Sequence, residues 1–262
     1  MIVVLDLLNW PLIDFAAAED VEELLEKLEE SNAVSSLETD EAPDEAGIAR
    51  ACQRVFDALG AVPSESSAVV VADVVRDEKV RLACARALLG DVQVSAVYCA
   101  SAAHCGLLGR CAGVSPRVAA VRAAGSWTVA LSSEDFVNPA SVRRGADASA
   151  AAAAGAVVDA IKTEPETASM YYQSVVIVNA DLGVANEVAD ALRTLALSCY
   201  RVKVVSAPKS AALAGAAWLC YFLQRSGGEV AFDYLRRGTY DRLLAEVKDD
   251  VASRVGLYFR AH

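Results

Sequence analysis

The chain has 262 residues, is 55% hydrophobic and has a mean hydropathy of +0.31, which is enough for one or two domains around a substantial core. No window approaches about 18 apolar residues without charge. The alanine-rich run 146–158 is broken by Asp147 and Gly155 and followed by Asp159, so a membrane span is not expected. Of the net charge of −11, the first 50 residues carry 14 acids against two bases, leaving 21 acids and 22 bases elsewhere. The acidity therefore belongs to one segment and argues against a nucleic-acid-binding surface.

Seven cysteines, an odd number scattered over helix and strand positions, predict reduced thiols in the cytosol or nucleus. The apolar start has no basic segment ahead of it and is interrupted by Asp6, so no secretory signal is expected.

In chain order, Ile2–Leu7 reads as a short strand and Glu19–Glu30 (EDVEELLEKLEE) as an amphipathic helix. Its acidic face is either a solvated face or a docking surface for a basic partner. Residues 31–45 (SNAVSSLETDEAPDE) read as a flexible acidic loop. Ala46–Leu59 follows as a helix turning Ile48, Cys52, Val55, Phe56 and Leu59 inward. A crossover pattern then occupies 67–112: strand Ala68–Asp73, helix Glu78–Leu89, strand Gln93–Tyr98, helix Ala102–Cys111. Pro116–Ala123 and Trp127–Leu131, joined at Ala124–Gly125–Ser126, predict a hairpin.

Between 132 and 173 the pattern supports one helix, Ala146–Ile161, and a loop at Pro165. Val175–Val178 is a β-branched run bounded by the turn Asn179–Gly183, the signature of a strand buried on both faces. Val184, Val188, Ala191, Leu192 and Leu195 recur at helical spacing and place a helix over Ala185–Leu197. A strand at Arg201–Ser206 leads through a Pro208 loop into a helix at Lys209–Leu223, apolar nearly all round and expected to be buried. Strand, helix, strand of this length predicts a right-handed parallel crossover. Beyond 224 the sequence predicts two short helices, Glu229–Arg236 and Thr239–Lys248, and a tail.

The stretch VVIVNADLGVANEVADALRTLA followed by VKVVSAPKSAALAGAAWLCYF resembles the C-terminal part of actin and actin-related proteins. In that family a strand enters a Gly-rich adenosine loop, a helix follows, and a second strand leads through Ala-Pro into a Gly-Gly helix. Ala207–Pro208 and Gly215 fall where that pattern expects them, while Asn179–Ala180–Asp181 replaces the family's Ser-Gly-Gly. The block 67–131 is similar too, with its strand ending near an acid, its strand ending in alanines and its hairpin. Together the two blocks cover roughly half of the chain, with few identities.

The resemblance implies an α/β chain with a reduced actin-like (ribonuclease H-like) fold of two related sheet-and-helix blocks. Its halves would be 1–145, with an acidic insert at 19–45, and 146–262. The long segment over the nucleotide in actin is reduced here to 132–173, which would leave surface uncovered.

An ATPase of that superfamily needs two hairpins that cradle phosphates with backbone N–H groups, and acids that hold Mg²⁺ and order the attacking water. The family's second hairpin has an Asp-Ser-Gly-Asp-Gly core. Here Val121–Arg122–Ala123–Ala124–Gly125 keeps one glycine and no acid. For the first hairpin there is no clear counterpart, because Asp6 lies at a predicted strand end with no Gly-rich turn after it. Arg122, Gly125, Asn179, Asp181 and Gly183 are thus vestigial nucleotide-loop positions, with no catalytic residue, no cofactor and no metal expected. Arg122 binds an anion in one reading, and pairs with an acid or faces solvent in the other.

Other chemistry is as thin. Two histidines, His104 and His262, leave little for a triad or a multi-histidine metal site. Cys99, His104, Cys105 and Cys111 match no standard zinc spacing and read as buried thiols. Asp73 either serves a site at a strand end or caps the helix that follows. Gly227–Gly228 is a lone turn rather than a phosphate-binding fingerprint. Trp127, Tyr171, Tyr172, Trp218 and Tyr221 read as core or interface aromatics.

The expected function is therefore that of a non-catalytic actin-related scaffold, a pseudo-ATPase subunit of a cytoskeletal or motor-associated assembly, dynactin-like or axonemal. Its partners would be other protein subunits, including actin or actin-related proteins, without nucleic acid or membrane. The place would be the cytoplasm and cytoskeleton, the flagellar axoneme included. The alternatives are a subunit of a nuclear chromatin-remodelling complex and an ATP-binding enzyme of the same superfamily. A third is a small-molecule-binding domain of unrelated doubly wound topology, for which a strand order 3-2-1-4-5 would speak.

Overall fold

The computed structural model describes residues 1–29, 34–72, 78–108, 117–123, 125–133, 136–207, 210–225 and 235–246. The chain opens with β1 (Ile2–Asn9), β2 (Leu12–Ala18), α1 (Val21–Glu29), β3 (Ser35–Glu38) and α2 (Glu45–Leu59). Next come β4 (Ser67–Ala72), α3 (Glu78–Ala85) with a π-helical continuation Arg86–Asp91, β5 (Ala96–Ser101) and α4 (Ala102–Leu108). The second half holds β6 (Arg117–Ala123), β7 (Ser126–Ser133), β8 (Phe136–Val137), β9 (Arg143–Arg144), α5 (Ala150–Ile161), α6 (Ala168–Tyr172) and β10 (Val175–Val178). It ends with α7 (Leu182–Leu195), β11 (Val204–Ser206), α8 (Ala211–Arg225), β12 (Leu235–Arg236) and α9 (Arg237–Glu246).

Helix starts follow local capping chemistry. Asp44 accepts from Gly47 N at 2.8 Å to open α2, which closes on Gly60 at φ 63°. Ser149 accepts from Ala152 N at 3.1 Å, so α5 begins at Ala150 rather than at Ala146. Asp181 accepts from Val184 N at 2.9 Å, so α7 begins one turn before the predicted Ala185.

Several expectations are corrected. The strand β2 went unrecognised, and β3 lies inside the predicted acidic loop. SSLE has little strand propensity of its own; its ladder comes from β2, through Phe15↔Ser35 to Leu12↔Glu38. Gln93 has φ 67°, outside extended backbone, so the strand predicted from there starts at Ala96. The Pro165 loop forms a 3₁₀ turn and then α6. Leu235 and Arg236 pair with β5 rather than ending a helix. Residues 30–33, 73, 109–111, 116, 124, 208–209, 227–234 and 247–248 of the predicted elements lie outside the described residues.

Two compact units result, but not with a break at 145. One comprises Met1–Ala100 and Ala216–Arg260; the other comprises Ser101–Gly215 with the last two residues. The reason is that the hairpin β6–β7 starts a new sheet, and α8 begins in one unit and ends in the other.

The first unit's sheet runs β12-β5-β4-β1-β2-β3, and the second's runs β11-β10-β6-β7-β8 with β9 also against β7. Counted from each unit's first strand, and leaving out the two-residue β9 that lies off the path, both contain the order 3-2-1-4-5. Directions agree as well through the first four strands: β2 and β3 are antiparallel steps and β4 is parallel to β1. In the same way β7 and β8 are antiparallel steps and β10 is parallel to β6. The order is the one expected of the doubly wound alternative, but an antiparallel meander over three strands is not a doubly wound parallel sheet.

In the second unit, Val118, Ala120, Trp127, Val129, Val175 and Ile177 form one face of the sheet, packed under α5, α6 and α7. Helix α4 covers the other face. There the chain comes so close that a Cβ on Gly215 would lie 1.8 Å from the Cys105 carbonyl oxygen, so only glycine fits. In the first unit Leu5, Ile13, Leu24, Phe56 and Leu88 are fully buried. Full burial of each such side chain contributes about 1.5–3 kcal/mol.

Candidate functional sites

In the second unit β6, β10 and β11 are parallel, so their carboxyl ends lie on one edge of the sheet, where α/β proteins place functional groups. The register Val178↔Val121 brings Asn179 beside Arg122. The Asn179 side-chain amide donates to the Arg122 carbonyl at 2.7 Å, and Asn179 itself is held at φ 60°. Ser206 Oγ donates to the Ala180 carbonyl at 3.0 Å, tying β11 to the same turn. Gly125, at φ 79°, forms the exposed tip of the β6–β7 hairpin.

The structure thus gathers the expected loop positions around one edge and shows what each is engaged in. The Asp181 carboxylate caps its own helix. A Cβ on Gly183 would come 3.1 Å from Asp181 Oδ1, so that glycine leaves room for the cap. The Arg122 guanidinium lies 6.0 Å from the centre of the Trp127 ring, a cation–π contact rather than the acid pair or solvated head expected. None of the described residues at the tip of β6–β7 is an acid, and its carbonyl at Arg122 already receives an amide donor. A magnesium–nucleotide pair needs carboxylates for its metal, and the described tip residues of β6–β7 supply none.

The first unit does have a counterpart hairpin, β1–β2, with Trp10 and Pro11 at its turn in place of glycine. Asp6 lies within β1 rather than at its end, opposite Asp14 on β2 and Val71 on β4. It is 4% exposed, and its Oδ1 accepts from Leu8 N at 2.8 Å. Burial pushes its pKa up to about 7; the Leu8 hydrogen bond pulls it down and Asp14 adds to the rise. Asp14 in turn accepts a hydrogen bond from the Ser36 hydroxyl of β3. Sequence reading found Asp6 but missed Asp14, because Pro11 and Asp14 interrupt the apolar alternation of LIDFAAA. Asp73 lies outside the described residues.

Cys99 on β5 and His104 and Cys105 on α4 are buried, as the thiol reading expects, and Cys111 lies outside the described residues. Among the described residues no group of three or more His, Cys, Asp or Glu side chains could hold a metal ion. Burial pushes the Cys52 thiol far above its ordinary range.

Trp127 is fully buried, and Tyr172 stacks on Tyr200 with ring centres 5.0 Å apart. Glu164 accepts from Tyr171 Oη at 2.5 Å and from Asn138 Nδ2 at 2.6 Å, joining α6 to the segment after β8. Burial and this carboxylate both raise the Tyr171 pKa. Trp218 on α8 is 38% exposed and meets Tyr221 edge-on at 5.5 Å. Among the described residues no helix is long and apolar enough to cross a membrane. Comparison of the chain with protein-family models and with curated proteins gives no match.

Proposed function

We propose that the chain is a non-catalytic, actin-related scaffold subunit of a larger assembly. One observation carries the reading. At the sheet edge where the resemblance puts phosphate-binding loops, the two loops bond to each other, Asn179 to the Arg122 carbonyl, and the one nearby acid caps a helix. With that carboxylate engaged at a helix start, the edge offers no ready metal ligand for hydrolysis. The recurrence of one strand order in both sheets supports the expectation of two related blocks. A cytoskeletal or motor-associated complex, dynactin-like or axonemal, is preferred over a chromatin remodeller because the net charge is acidic.

Contacts would form through the acidic segment 19–45 and the Trp218–Tyr221 pair of α8. Co-purification from native cells followed by mass spectrometry tests this. Dynein, dynactin or axonemal subunits in stoichiometric amounts are the expected result, and helicase-type remodeller subunits would move the protein to the nucleus. A chain that stays monomeric and monodisperse at high concentration, with no subunit co-purifying, would contradict the scaffold reading.

A further inference from the structure

We propose that the β1–β2 hairpin is a proton-operated latch, in which a proton held on Asp6 closes the tip between Leu7 and Leu12 and opening of the tip releases it. The ladder between the two strands is continuous from Ile2↔Ala18 to Asp6↔Asp14 and then shifts register before Asn9↔Leu12. Asp6 stands at that break. Its carboxyl reaches along its own strand to the Leu8 amide at 2.8 Å and fastens the irregular stretch that the ladder no longer holds. Trp10, at the tip, donates its indole N–H to the Glu41 carbonyl at 2.9 Å.

Among the described residues, the strands around Asp6 offer an ionised carboxylate no cation. The strands β1, β2, β3 and β4 contain no lysine, arginine or histidine. From β2 the facing group is Asp14, itself bonded to Ser36 of β3; from β4 it is Val71. The remaining acid of β3, Glu38, pairs with Leu12. On α1, which packs against β2, Lys27 is engaged by Glu23 and by the Ala17 carbonyl. Ionising Asp6 in the closed hairpin therefore buries a charge and sets two carboxylates across one register pair. Opening the tip exposes the carboxyl to water, where it ionises at the ordinary carboxylate value. Each opening then releases one proton over the range between that value and the closed-state midpoint, which burial pushes up to about 7.

Hydrogen exchange followed by mass spectrometry over a pH series tests the latch, with protection of residues 7–12 corrected for intrinsic exchange. Wild-type protection there falls about tenfold per pH unit between roughly pH 5 and pH 7 and levels off above, the slope for release of a single proton. Asp6→Asn keeps the acceptor and the volume, and its tip protection stays flat. Asp14→Asn keeps the slope but levels off at lower pH, because a neighbouring negative charge is gone. Peptides from β6 and β7 serve as the internal control and keep their protection throughout. A wild-type tip with no pH dependence, or the same profile in Asp6→Asn, overturns the latch. So does a loss of protection that appears in β6–β7 as much as in the tip, which would mark global unfolding.

Discussion

The two hairpins β1–β2 and β6–β7 stand at the same topological place in their units, each opening a sheet in which a later strand, β4 or β10, lies parallel to the first. They differ in the residues at their turns. The first has a buried acid and no glycine at its turn; the second has a glycine at φ 79° and no acid among its described tip residues. A nucleotide site needs both at once, an acid for the metal and a bare backbone for the phosphate. In both hairpins the polar groups are engaged within their own unit, Asp6 with the Leu8 amide and the Arg122 carbonyl with Asn179.

The comparison can be broken most forcefully in the second hairpin. Trp127 is fully buried under α5 and α7, and Trp127→Ala is expected to cost about 3–5 kcal/mol by denaturant unfolding. In the first hairpin the largest effect is one of pH. The folded-state pKa of Asp6 is raised to about 7, so its contribution favours the native state at low pH and is lost as pH rises through that value. Wild-type stability relative to Asp6→Asn should therefore fall from about pH 4 to pH 7 and then level off. A difference that grows with pH instead would reverse the assignment.

Smaller effects sharpen the contrast at the second sheet edge. Asn179→Ala loses the bond to the Arg122 carbonyl and puts a Cβ-bearing apolar residue at φ 60°, with an expected cost of about 1–2 kcal/mol. Asn179→Gly should recover the backbone share of that loss. Asp181→Ala removes a helix cap and is expected to cost about 1 kcal/mol, with no change in any interaction with nucleotide.

Legibility in the sequence followed local signal strength. The buried strand Val175–Val178 and the helix Glu45–Leu59 were readable because β-branched runs and helical periodicity are written within the segment itself. By contrast, β3 was not, since Ser35–Glu38 becomes a strand only through its partner β2. The hairpin β1–β2 was half readable: Ile2–Leu7 stood out, while Pro11 and Asp14 disguised the return strand. For the same reason Asp6 looked like a strand end, and its opposite number across the ladder went unseen. The loop positions Arg122, Asn179 and Asp181 were found by resemblance. Their actual engagements, an amide on a carbonyl and a carboxylate on a helix start, depend on register that no single segment encodes. The Glu164 junction with Tyr171 and Asn138 joins residues far apart in sequence and carried no motif at all.

The central claim is that the loops at 121–126 and 179–183 bind each other instead of a nucleotide. Isothermal titration of the full chain with Mg-ATP tests it most directly. The account predicts no binding heat at millimolar nucleotide, in the wild type and in Asp181→Ala alike. Saturable binding with a micromolar Kd, abolished by Asp181→Ala, would contradict it and restore an ATP-binding member of the superfamily.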